Sequence, residues 1–99
     1  MFMLRVKVRN TDIRCPQQGN DKWEFHTVTV YHEDGASETQ PFLIADLDLQ
    51  HCFKEATGRY PEISSGSSSE KQDLLDNWEV LEPKLQAFCE KWFNAKNVA

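Results

Sequence analysis

The sequence predicts a two-layer α+β domain, in which a three-stranded antiparallel sheet carries a short helix and a long C-terminal helix packed on one face. Three observations predict it. Period-two alternation at Leu4–Val8, β-branched and aromatic runs separated by turn residues as far as Ile44, and an apolar stripe at helical spacing from Leu74 to Trp92 follow one another along the chain. Ninety-nine residues, 39% apolar and 11% aromatic, suffice for one packed core, so 1–99 reads as a single domain.

Leu4, Val6 and Val8 alternate with Arg5, Lys7 and Arg9, which predicts a first strand over Phe2–Asn10 with its aliphatic side chains inward and three cations outward. The pattern weakens through Ile13 to Cys15-Pro16, and Gln17 to Asp21 supplies a turn. A second strand runs from Lys22 to His32 but changes phase: Trp23 and Phe25 share one face, Val28 and Val30 the other. A β-bulge near His26-Thr27 would return all four to one side, and it is favoured over a sheet covered on both faces. Glu33-Asp34-Gly35 is a hairpin turn into a third strand, Ala36 to Ile44, which Pro41 confines to an edge because it has no N–H to give.

Asp46 or Asp48 can cap a short helix that turns Leu49, Cys52, Phe53 and Ala56 inward and ends at Gly58. Tyr60 to Ile63 reads as extended chain and could add a fourth short strand. Residues 64–69, all Ser or Gly, read as a flexible loop. In the last helix, Leu74, Trp78, Leu81, Leu85, Phe88, Cys89 and Trp92 fall within roughly 100° of one another. Ser67/Glu70 and Ser69/Gln72 have capping-box spacing for its start. Pro83 removes one helical hydrogen bond, which predicts a kink or two helices meeting near Leu81-Glu82.

Function is constrained mainly by exclusion. Eleven basic against sixteen acidic residues give a net charge of −5, which disfavours nucleic acid and anionic membranes as partners. No apolar run reaches the roughly 20 residues of a membrane-spanning helix, and no secretory leader is recognisable. Cys15, Cys52 and Cys89 are an odd, scattered set, which fits a reducing, cytoplasmic setting without disulfides. Cys52 and Cys89 lie on apolar helix faces and read as core; Cys15, in a loop, is the one thiol that could act as a nucleophile with His26 or His32 across a hairpin. His26 and His32 stand about 20 Å apart along a strand, too far to grip one metal ion. Gly19, Gly35, Gly58 and Gly66 are isolated, so no phosphate-cradling loop is present, and no cofactor or metal is expected.

Charge is unevenly placed: residues 1–32 hold five cations and three anions, residues 33–99 six and thirteen. On the last helix Asp76, Glu79 and Glu90 gather on the side away from the apolar stripe, flanked by Asp73 and Glu82. These five carboxylates predict a partner-binding face, and the chain reads as a non-enzymatic protein-binding module, an acidic inhibitor or immunity-type protein that occludes a more basic protein. Three readings compete with it. Arg5, Lys7 and Arg9 with exposed Trp23, Phe25 or Tyr31 would make a stacking platform for single-stranded nucleic acid; Cys15 would serve a cysteine-dependent enzyme; and spare aromatic surface at Trp78, Trp92 and Phe93 would pair two copies of the chain.

Overall fold

The computed structural model describes residues 3–10, 13–16, 21–61 and 67–97. Four strands, β1 (Arg5–Val8), β2 (Ile13–Arg14), β3 (Lys22–Tyr31) and β4 (Ser37–Ala45), precede three helices, α1 (Asp46–Thr57), α2 (Ser67–Asp76) and α3 (Trp78–Asn97). The sheet is antiparallel throughout and centred on β3. β4 follows one edge of β3 along its whole length, so β1 and β2, paired with Val28–Tyr31 and Glu24-Phe25 respectively, share the other edge as two pieces of one interrupted strand. The predicted first strand is therefore shorter than Phe2–Asn10, and a second segment at Ile13-Arg14 continues it.

The phase change in β3 is a bulge. Phe25 pairs with Phe42 and Val28 with Gln40, so His26 and Thr27 together oppose Pro41 alone. The extra residue returns Val28 and Val30 to the face of Trp23 and Phe25, and all four are buried. The hairpin between β3 and β4 closes through His32 N to Ala36 O at 2.8 Å, with Gly35 N donating to His32 O and Gly35 at φ 91°. That left-handed position is the one glycine occupies at little steric cost.

α1 and α3 pack on each other and on the inner face of the sheet. The core joins Val6, Val8 and Ile13 to the β3 side chains, Phe42 and Ile44 from β4, Leu49 and Phe53 from α1, Leu74 from α2, and Leu81, Leu85, Cys89 and Phe93 from α3. α1 ends as expected, with Gly58 at φ 86° and its N–H on Lys54 O, but it begins differently. Its N-cap is Ala45, with no side-chain cap bond; Asp46 is already helical and its N–H donates to Asp21 O at 2.7 Å.

Two further expectations are corrected. Helix α2 starts at Ser67, inside the segment read as a flexible loop, while residues 64–66 lie outside the described residues. The C-terminal helices meet at Asn77 and not near Leu81-Glu82, and α3 continues through Pro83. The carbonyl that Pro83 leaves without a donor is that of Glu79, in the first turn of α3. The ring lies against the first turn of α3. At the junction Asn77 Nδ2 donates to Asp73 O at 2.9 Å, while the Val80 and Leu81 N–H groups donate to Asn77 O. Tyr60 and Pro61 form no strand, and the rest of the predicted fourth strand lies outside the described residues.

Candidate partner-binding surface

Strand alternation and the one-sided helical layer sort the charges of this chain. Cross-strand partners share a face, so the rows Arg5/Tyr31, Lys7/Thr29 and Arg14/Glu24/Leu43, with Lys22 beside Ala45, stand on the side of the sheet opposite the helices. Four cations and one carboxylate therefore occupy the outer sheet face. The helices α1, α2 and α3 carry nine carboxylates against five lysines. Opposite layers thus bear opposite charge.

The five carboxylates singled out by the sequence do not form one open face. Asp73 accepts two bonds from Arg59, at 2.8 and 2.9 Å, and its side chain is only 12% exposed. Glu82 is half-buried and accepts the Trp78 indole N–H at 2.7 Å. Glu90 turns toward the sheet, 3.2 Å from Arg5, with its side chain 22% exposed. Asp76 and Glu79, which flank the α2–α3 junction, are exposed; the Gln72 amide donates to Asp76 at 2.8 Å. A single helical wheel groups all five, but they belong to two helices, α2 and α3, and it cannot register that β1 runs along the flank of α3 or that Arg59 reaches back to α2.

That flank is built from amides. Asn94 accepts from Leu4 N at 2.8 Å and donates to Leu4 O at 3.2 Å, and Gln86 accepts from Val8 N. The open edge of β1 is thereby hydrogen-bonded by helix side chains.

A second feature lay outside the sequence reading. Glu70 is 8% exposed and its Oε1 has no hydrogen-bond partner. Its carboxyl lies against Asp46, which also accepts the Trp23 indole N–H at 2.8 Å and the Gln50 amide at 3.0 Å. Burial, reinforced by the charge of Asp46 and the bond to it, pushes Glu70 up to about 7. Spacing in the sequence offered Glu70 only as a capping-box residue, and nothing local links it to Asp46.

The thiols and imidazoles stand in unlike surroundings. Burial raises the Cys52 thiol to about 11, with Glu55 and Asp48 adding to the effect, and raises Cys89 further, with Cys52 and Glu90 contributing. Both thiols are buried and protonated. Cys15 is half-buried against the core. His26 lies 3.4 Å from Glu24, His32 3.7 Å from Glu38, and His51 packs edge-on against Tyr60. Among the described residues no three His, Cys, Asp or Glu side chains converge to hold a metal ion, and no helix is long and apolar enough to cross a membrane.

The aromatic platform is corrected by burial: Trp23 and Phe25 are both fully inside, which leaves Tyr31 as the aromatic beside Arg5 on the outer face. The bulge that keeps one side of β3 apolar is what hides them. The proposed spare aromatic surface also contracts, since Phe93 is buried and Trp78 half-buried, while Trp92 stays 41% exposed. Compared with protein-family models, with curated proteins and with solved structures, the chain matches none. What defines it is its architecture, a small antiparallel sheet covered on one face by helices, with a charge of opposite sign on each layer.

Proposed function

We propose that this chain is a non-enzymatic protein-binding module, an acidic inhibitor or immunity-type protein whose helical layer docks a more basic protein. The observation that supports it is the placement of Asp76 and Glu79, exposed on either side of the α2–α3 junction, in a layer where carboxylates outnumber lysines. Within a Debye length of roughly 8–10 Å such a cluster attracts a cationic surface and speeds its encounter. Asp73, Glu82 and Glu90 serve this surface indirectly: paired to Arg59, Trp78 and Arg5, they hold the helices that present the exposed pair.

The test is capture of the partner from the source cell, followed by a binding titration with the purified partner. Asp76→Lys with Glu79→Lys is expected to weaken binding by about tenfold or more, and a sheet-face control, Lys7→Glu with Arg14→Glu, to leave it within about twofold. If the helical reversal binds as tightly as the parent chain, the helical layer is not the docking surface.

A further inference from the structure

The groove beside Trp92 joins the helical layer to the outer face of the sheet and differs from both in chemistry. It has a volume of about 360 Å³ and runs over the free edge of β4, from Trp92 on α3 past Pro41 and Phe42 to Leu43 on the outer face of the sheet. Trp92 is 41% and Leu43 52% exposed, so both offer apolar surface to a ligand. The indole is held in place: it meets Phe42 edge-on at 5.1 Å and Phe93 at 4.8 Å. A large ring already fixed by its neighbours loses little freedom on binding. Lys22 and Lys96 line the same groove, Lys96 Nζ standing 4.8 Å from the centre of the Trp92 ring, and Glu24 is its one carboxylate.

We propose that this groove receives a short acidic segment of a partner protein, with one aromatic or large aliphatic side chain seated on Trp92 and Leu43 and flanking carboxylates on Lys22 and Lys96. The local excess of cations reverses the sign of the whole chain, whose net charge is −5. A long polyanion would be repelled by that total charge, whereas a short acidic segment responds to the charges within a Debye length, roughly 8–10 Å. Pro41 sets the manner of recognition. Its missing N–H interrupts the outer edge of β4, so a ligand is read by side chains and not by addition of a strand. The groove uses neither Asp76 nor Glu79, so the module can engage a basic surface and an acidic segment separately.

A peptide array tests this: hexapeptides with every residue type at a central position, flanked either by Asp and Glu or by Lys and Arg. Retention is expected for acidic flanks around Phe, Trp, Leu or Ile, and the best of these peptides, titrated in solution, is expected to shift the Trp92 indole N–H resonance. Trp92→Ala, and separately Lys22→Glu with Lys96→Glu, are each expected to lower its affinity by about tenfold or more, while Asp76→Lys with Glu79→Lys leaves it unchanged. Trp92→Phe, which keeps a ring against Phe42, is expected to fall between parent and alanine variant and guards against misfolding as the cause. The proposal is overturned if acidic flanks carry no advantage, if binding survives both groove variants, or if oligothymidylate displaces the peptide from the groove.

Discussion

Glu70 is the one buried carboxyl side chain among the described residues, and its behaviour follows from where it stands. Loss of water penalises its charged form, and the Asp46 carboxylate against it adds to that penalty, so the folded chain holds a proton on Glu70 up to about pH 7, where an unfolded chain would release it near 4.5. The sign is fixed by linkage. Below the unfolded value both states are protonated and the stabilisation is complete; as pH rises through the folded value the folded chain must lose its proton and that stabilisation is lost. Glu70→Gln keeps a donor toward Asp46 and removes the titration. Thermal unfolding followed by circular dichroism at about pH 5 and about pH 8 is expected to show the parent losing about 10 °C relative to the Gln variant over that interval. Equal pH dependence in both would mean that Glu70 is ionised throughout. No pattern in the sequence could have revealed this pair, because Asp46 and Glu70 lie on different helices and only the tertiary fold brings the start of α1 to Glu70.

The elements themselves were far more legible, for the reason that each has a period. Alternation located β1, the phase change in β3 announced the bulge, and Pro41 marked the edge strand opposite it. Misplaced features were those governed by tertiary contact. The buried ridge of α3 follows Leu81, Leu85, Cys89 and Phe93, one every fourth residue, so Phe93 turns in and Trp92, assigned to the stripe by its angle, turns out. Likewise the break falls at Asn77, whose side chain has the carbonyl of Asp73 to bond, and α3 carries Pro83 just beyond its first turn. The edge contact of α3 on β1 is testable at this scale. Asn94→Leu removes both side-chain bonds to the Leu4 backbone and leaves those groups without their partner, which is expected to cost about 2 kcal/mol in urea denaturation and to speed hydrogen exchange at the Leu4 amide. Unaltered exchange there would show that water replaces Asn94 without loss.

At the level of the whole molecule, one core holds both layers together, and its thiols can report on it. Cys89 is fully buried and Cys52 nearly so, both protonated, whereas Cys15 is half-buried. An alkylating reagent near neutral pH is expected to label Cys15 first, and Cys89 only at the rate of global opening, which mass spectrometry across a urea series would resolve. Rapid labelling of Cys89 in the native chain would mean that α3 leaves the sheet without general unfolding. The candidate surfaces were legible only in outline: charge asymmetry along the chain foretold segregated charge in the fold, but which carboxylates stay open depended on Arg5 and Arg59, cations distant in sequence. The clasp of Asn94 on Leu4 spans 90 positions. A bond of that reach cannot close until Asn94 has been synthesised, so during translation the first strand waits with its outer amides bare. The emerging chain is then most vulnerable to pairing with a neighbouring strand just before its last helix arrives.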